Sequence, residues 1–312
     1  MANYITIDGG TTNTRISLVM DGTMTDTLKF GVGARAGMEE EGLLQATVKQ
    51  GIQELLTNNG MEAKDITRIL ASGMITSEFG LHQLDHATVP VGIAQLHQAM
   101  EEVMLEEISP IPFVFMRGVK TACNALTDAD MMRGEETELM GIVEEGDGEG
   151  VYILPGSHSK IIRLDAEGKI QEFSTMLTGE MAAALSQHTI LKDAVSFDQS
   201  RIEKDYLLQG YTYCTQKGIN EALFKTRVLK NILKGNPSQV YSFFLGVILC
   251  GEINRILDFQ PSKIVIGGKK QLREAMGILL EASTHSRVVC LSDETVDLSS
   301  AMGMIKIYEY KE

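Results

Sequence analysis

Two stretches of this chain share one pattern: a short strand, a glycine-bearing turn rich in hydroxyls, and a second strand. The first is NYITIDGGTTNTRISLV from Asn3, and the second is VYILPGSHSKIIRLD from Val151. In the first, Ile5 and Ile7 alternate with Tyr4, Thr6 and Asp8, and a β-rich pattern resumes from Arg15 to Val19. An ordinary tight hairpin carries Asn-Gly or Asp-Gly in its turn; here Gly9 and Gly10 let the backbone approach a ligand, and Thr11 and Thr12 add hydroxyls. That chemistry suits a phosphate. Two copies of the motif predict a duplicated architecture.

The rest of the chain reads as α/β. Thr23 begins a third strand, and Leu43, Leu44, Val48, Ile52, Leu55 and Leu56 recur at helical spacing before Gly60. Strands are expected in ITRILASGMI from Ile66 and IPFVFM from Ile111, with a helix over roughly 95–107 between them. After the second motif, AEGKIQEF makes another hairpin. A long helix over about 238–257, a strand KIVIGG from Lys263, a helix after Gln271, a strand RVVCL from Arg287 and a closing helix through Met302 complete the chain. The polar, acidic, glycine-rich run EEGDGEG from Glu144 marks the division, giving an N-terminal lobe 1–147 and a C-terminal lobe 148–312 whose final helix is free to pack back on the first lobe. Two facing lobes would bring the two turns, 8–12 and 155–159, to one cleft.

A length of 312 residues with 44% apolar and 22% charged residues allows one large or two ordinary domains of a globular protein. The net charge of −14 opposes binding to nucleic acid or to an anionic membrane, and it requires local Lys or Arg for any anionic substrate. Cys123, Cys214, Cys250 and Cys290 are scattered singly with no CxxC pair, which points away from a zinc ribbon or disulfide framework and toward a reducing cytoplasm. The N-terminus enters a strand directly, with no signal-peptide pattern. FFLGVILCG from Phe243 is shorter than the ~20 residues of a membrane span and reads as a buried helix. The acidic runs MEEEG at Met38 and EEVMLEE at Glu101 read as solvated faces, and the seventeen methionines as core fillers.

IDGGTTNTR, LPGSHSK and IVIGGKKQL resemble the first phosphate, second phosphate and adenosine loops of the sugar kinase, hexokinase, actin and Hsp70 superfamily. Within it, the ordered set RGEETELMG at Arg133, PGSHSK at Pro155 and STMLTGE at Ser174 is similar to the central block of the 2-dehydro-3-deoxygalactonokinase family, over nearly the whole chain. The chain departs from that family's pattern at Gly9, where tryptophan is common, and at Thr76 to Gly80, which stand where the family carries a glycine, a serine and an Arg-Gln-Gly-Trp type segment. The resemblance implies two duplicated ribonuclease H-like lobes, each a mixed five-stranded sheet flanked by helices, with ATP held in the cleft between them. It implies Mg²⁺ as cofactor and transfer of the γ-phosphoryl group to the 6-hydroxyl of 2-dehydro-3-deoxy-D-galactonate. The runners-up are a kinase for another keto-deoxy sugar acid and an actin- or chaperone-like ATPase with no sugar acceptor. The expected partner is a small sugar acid, with no nucleic acid and no membrane; a homodimer stays open.

Each site residue has two readings. Asp8 caps a turn or orients Mg²⁺, with backbone N–H groups and hydroxyls of Gly10, Thr11 and Thr12 on the β- and γ-phosphates. Arg15 is a solvated strand residue or a bidentate donor to a carboxylate or to the moving phosphoryl group. Glu135 and Glu136 are favoured at a helix N-terminus by the dipole alone; the resemblance assigns Glu135 as catalytic base and Glu136 as its substitute. Gly156, Ser157, His158 and Ser159 form the second phosphate loop, where His158 contacts phosphate or substrate or simply faces solvent. Thr178, Gly179 and Glu180 read as a helix N-cap and first turn, a role with which function can coexist. Gly267 and Gly268 either end a strand or let adenosine lie flat on the backbone. The resemblance places Asn13, Gly73, Met74, Arg133, Glu136, Thr178 and Glu180 around the substrate.

Overall fold

The computed structural model describes every residue except 1, 37–39, 41, 123, 124, 145, 147, 198–200 and 312. The acidic run at Met38, the lone Cys123 and the dividing run from Glu144 lie wholly or partly outside the described residues. The chain separates into two compact units. One comprises Met1–Gly148, Asp165–Glu172 and Glu294–Glu312; the other comprises Glu149–Leu164 and Phe173–Asp293.

In the first unit, β1 (Asn3–Gly9), β2 (Thr14–Met20) and β3 (Thr23–Phe30) form an antiparallel meander. Helix α1 (Leu43–Asn58) precedes β4 (Arg68–Gly73), which pairs in parallel with β1, and β7 (Phe113–Phe115) pairs in parallel with β4. Central strands flanked on both faces should be apolar nearly throughout, and Ile5, Ile7, Ile69, Ala71, Phe113 and Phe115 are fully buried with Leu44, Val48 and Leu55 of α1 packed against them. Burying an Ile, Leu or Phe side chain contributes about 1.5–3 kcal/mol, so this layer supplies much of the unit's stability. A second, three-stranded sheet joins β5 (Ala87–Thr88), β8 (Val119–Lys120) and β9 (Met131–Met132).

The helix expected over 95–107 is replaced by a six-residue helix, α2 (Ile93–Gln98), followed by a strand, β6 (Glu101–Val103), antiparallel to β7. The open edge of β7 captures the segment, and its acids find partners nearby: Arg68 Nε lies 3.1 Å from Glu102, while His82 and Arg117 both bond Glu101. Glu101 and Glu102 are therefore ion-pair partners and not merely a solvated face. Helix α3 (Glu135–Ile142) ends this part of the chain.

The second unit repeats the sheet. β10 (Gly150–Leu154) and β11 (Ser159–Leu164) form a hairpin, β12 (Ile170–Met176) continues it, β13 (Lys263–Ile266) is parallel to β10, and β14 (Arg287–Cys290) is parallel to β13. The strand order β12-β11-β10-β13-β14 matches β3-β2-β1-β4-β7 position for position, with β6 added at the edge of the first sheet. The duplication expected from the two hairpin motifs is thus the architecture.

Helix α4 (Thr178–His188) follows β12, and two helices that period counting had not singled out, α5 (Lys204–Lys217) and α6 (Ile219–Asn231), precede α7 (Pro237–Asp258). Among the described residues α7 is long and apolar enough to cross a membrane, but 78% of its most apolar window is buried inside the protein, so it is a core helix. Gly210 and Gly246 let α5 and α7 cross closely: a Cβ at Gly246 would stand 2.0 Å from the Leu207 carbonyl oxygen. Helix α8 (Lys270–Ser283) packs on the same core, and α9 (Asp293–Tyr308) closes the chain.

Candidate functional site

In the first unit the turn between β1 and β2 is held from behind. Ala34 N–H donates to the Gly10 carbonyl at 3.1 Å and Arg35 N–H to that of Thr11 at 2.9 Å; Gly33 sits so close that a Cβ there would meet the Gly10 oxygen at 2.5 Å. With the loop's carbonyls engaged on that side, Thr11, Thr12 and Asn13 are exposed. Gly10 N–H donates to the Asn13 carbonyl at 2.8 Å inside the turn.

Three glycines bring three segments together beside this turn. Gly73, at φ +87°, lies so near β1 that a Cβ would come within 2.4 Å of the Gly9 oxygen, and a Cβ on Gly134, at φ +108°, would lie 3.2 Å from Gly73 Cα. Only glycine fits either position. The result sets the N-terminus of α3 against the ends of β1 and β4, where Ser72 and Thr137 hydroxyls bond at 2.7 Å. Met74 opens the one-turn helix that leaves Gly73.

Four acids meet in this neighbourhood. Asp8 stands directly across from Arg15 in the β1–β2 register, and burial raises its carboxyl above the ordinary carboxylate range, against the pull of Arg15 and with a push from Glu135. Burial also lifts Glu138 to about 8, with Asp8 and Glu135 adding to the shift and Arg15 opposing it. Glu136 is fully buried; both its oxygens accept from Gly134 N–H at 2.9 Å, Thr137 hydroxyl adds a bond at 3.1 Å, and burial pushes it to about 8. Glu135 is half-buried and accepts from Arg133 N–H at 3.0 Å. Arg15 also donates to the Asp297 carbonyl at 3.1 Å, and with Asp8, Thr6, Ser17 and Met304 it lines a cavity of about 10 Å³, roughly one water's room. Arg133 is committed within the unit: Nη1 donates to the Thr76 carbonyl and hydroxyl, Nη2 to the Leu84 carbonyl and to His86 Nδ1.

The second unit builds its turn the same way. Gly179 follows β12 by three residues as Gly33 follows β3, and a Cβ on it would meet the Gly156 oxygen at 2.3 Å. Glu180 N–H donates to the Ser157 carbonyl at 3.2 Å. Ser157 and His158 are exposed, and His158 Nε2 lies 3.2 Å from the Glu180 carboxylate. Ser159 is buried: Gly156 N–H donates to its oxygen at 3.3 Å, and its hydroxyl bonds Glu252. Thr178 is the first residue of α4 rather than its cap, which is Leu177, and its hydroxyl also bonds Glu252. Gly268, at φ +62°, has no room for a side chain against the Pro155 oxygen, 2.3 Å from an added Cβ; Gly267 N–H donates to Ile153 and Arg273 to the Gly268 carbonyl. The strand-ending reading therefore accounts for a glycine at 268 without any ligand.

Thus Asp8, Arg15, Glu135 and Glu136 gather with Gly73 and Arg133 in one unit, and Gly156 to Ser159 gather with Thr178, Glu180 and Gly267 in the other. Two residues escaped the sequence reading. Glu138 was visible as the acid three positions after Glu135, one helical turn along the same face. Glu252 was visible as the charge closing an otherwise apolar run. Among the described residues, no group of three or more His, Cys, Asp or Glu side chains is arranged to hold a metal by itself.

A family model for 2-keto-3-deoxy-galactonokinases matches residues 8–302. A curated relative, "Probable 2-dehydro-3-deoxygalactonokinase DgoK1" of Rhizobium meliloti (strain 1021), is 27% identical over 199 residues, 62% of this chain; the chain spans 59% of that relative's length. The crystal structure of a Sinorhizobium meliloti protein bearing the 2-dehydro-3-deoxygalactonokinase name superposes with a TM-score of 0.79 at 20% identity, covering 98% of this chain and 100% of that one. The activator of the 2-hydroxyisocaproyl-CoA dehydratase from Clostridium difficile, solved with bound ADPNP, gives 0.50 at 11% identity, covering 98% and 95%. These structural likenesses speak to the fold alone, that of the sugar kinase and actin-like ATPases. Because the family match runs from Asp8 in the first turn, through both repeated sheets, into the final helix, the chain belongs to the 2-keto-3-deoxy-galactonokinase family.

Proposed function

We propose that this protein transfers the γ-phosphoryl group of ATP to the 6-hydroxyl of 2-dehydro-3-deoxy-D-galactonate. The observation that carries the reading is Glu135: a half-buried carboxylate opening α3 that acts electrostatically on Asp8 at the end of β1, the strand that leads into the exposed Thr11 and Thr12. Transfer to an alcohol needs an acceptor for the hydroxyl proton and neutralisation of phosphate charge, with little covalent chemistry by the protein. Glu135 takes the proton. Glu136, with both oxygens on Gly134 N–H and no exposed surface, supports the turn that aims Glu135.

In the first unit Thr11 and Thr12 are the phosphate-binding hydroxyls, since Gly10 N–H is committed to Asn13, with Arg15 to balance charge and Asn13 and Met74 as sugar-acid contacts; in the second unit Ser157 and His158 bind phosphate, Gly267 and Gly268 carry adenosine and Glu180 is a substrate contact. The crowding of Asp8, Glu135 and Glu138, opposed by Arg15, fits a divalent cation held by Asp8 together with phosphate oxygens. Mg²⁺ there supplies charge neutralisation on the triphosphate. The scattered cysteines, with no CxxC pair, support a reducing cytoplasm as the compartment.

A different keto-deoxy sugar acid is the second reading, favoured by the departure of Thr76 to Gly80 from the family pattern in the segment that Arg133 holds through Thr76. Coupled ADP detection over a panel of keto-deoxy acids separates the two, and ADP release independent of any sugar acid would sink both. In the same assay Glu135→Gln is expected to bind ATP normally while turnover drops by about 10²–10⁴-fold; near-normal turnover would remove Glu135 as base.

A further inference from the structure

Glu252 lies in the middle of the apolar helix α7, 1% exposed, where a carboxylate costs several kcal/mol unless it is fully partnered. It is not fully partnered. One oxygen accepts from the Thr178 hydroxyl, the side chain is bonded by Ser159, and Oε2 is buried with no hydrogen-bond partner. A leucine at this position would complete the core without that cost, so a stability role does not explain the acid.

Its two partners explain it. Ser159 is the exit of the second turn, where its oxygen receives Gly156 N–H at 3.3 Å. Thr178 opens α4, whose next two residues grip the turn from outside: Gly179 abuts the Gly156 oxygen and Glu180 N–H holds the Ser157 carbonyl at 3.2 Å. One carboxylate on the most buried helix of the unit thus ties the inner edge of the turn to the segment that clasps its outer edge.

We propose that Glu252 is the positioning residue of the second phosphate-binding turn, holding Ser159 and Thr178 so that the exposed Ser157 and His158 meet a nucleoside triphosphate. This rests on the kinase reading above. Burial keeps the carboxyl near about 7, so its acceptor oxygens, rather than a fixed negative charge, do the holding. Glutamine retains one such acceptor; leucine retains none.

The test is ATP affinity by calorimetry with Mg²⁺ present, alongside KM for ATP and kcat, for the full-length protein. Glu252→Leu is expected to weaken ATP by on the order of tenfold, the loss of one or two hydrogen bonds to the turn, while its melting temperature holds or rises. Glu252→Gln is expected to recover most of that loss, which a purely structural role would not produce. Ser159→Ala and Thr178→Val, made singly, should weaken ATP in the same direction, and each should add little to Glu252→Leu because the contact is already gone. If Glu252→Leu does not fold, those two hydroxyl variants decide. Wild-type affinity in a folded Glu252→Leu, or in both hydroxyl variants, overturns this inference alone. Absence of ATP binding by the wild-type protein overturns the kinase reading and this inference with it.

Discussion

At the residue scale the chemistry turns on how neighbouring carboxyls set one another's charge. Glu138 is raised from its ordinary 4.5 to about 8, chiefly by burial and then by Asp8 and Glu135. The folded protein therefore holds that proton more tightly than the unfolded chain does. Its cost is absent below pH 4.5 and grows as pH rises toward 8, so stability drains through that window. Glu138→Gln should raise the melting temperature of the ligand-free protein more at about pH 8.5 than at about pH 5; an equal shift at both would show that the carboxyl does not titrate there. Such a residue is hard to read in sequence because a glutamate in the first turn of a helix is expected on dipole grounds alone. Only its electrostatic contact with Asp8 at the end of β1, 130 positions earlier in the chain, distinguishes it.

At the element scale, α3 owes its place to glycines on both sides. Its N-terminus rests on Gly134 and Gly73, and its body meets α9 at a crossing of two glycines: a Cβ on Gly141 would stand 1.9 Å from the Ser299 oxygen, and one on Gly303 would stand 1.8 Å from the Thr137 oxygen. Gly303→Ala adds one methyl against the Thr137 carbonyl, so it must push α3 outward and carry Glu135 and Glu138 with it. Overpacking of this kind costs about 1–3 kcal/mol, and misplacing a reacting group by ~1 Å costs about 10²-fold in rate. The expected result is a folded protein with a lower melting temperature and a kcat that falls more than the KM for either substrate rises. Unchanged kcat would mean that α3 tolerates the displacement. The strands and longest helices were legible beforehand because burial on one or both faces leaves a period in the sequence; β6 was not, because three residues with two glutamates become a strand only when Arg68, His82 and Arg117 and the bare edge of β7 receive them.

At the scale of the whole molecule, the proposed function asks a chain of net charge −14 to hold a triphosphate and a sugar acid. The reading requires ATP to arrive with a divalent cation, and this is measurable without turnover: saturating ATP with Mg²⁺, at about 100 times its Kd, should stabilise the fold by about 2.7 kcal/mol, and chelation with EDTA should abolish most of the shift. An ATP-dependent shift indifferent to EDTA would remove the cation from Asp8.

The sequence by itself determined the repeated strand-turn-strand plan, the α/β class and the family, because hairpin turns, strand alternation and glycine placement are local properties that a chain writes in order. The tertiary structure alone decided the surroundings of each of the three glutamates of α3: Glu136 is fully buried on Gly134 N–H, Glu138 feels Asp8 and Arg15, and Glu135 is half-buried. Glu135, Glu136 and Glu138 are neighbours in sequence and alike in chemistry; what separates them is the packing of Gly73, Gly134 and Asp8 around one helical turn, and Glu252 acquires its place only when α7 is buried beneath the second turn. Burial and charge act through space, and a carboxylate's role follows from what stands within a few ångströms of it after folding.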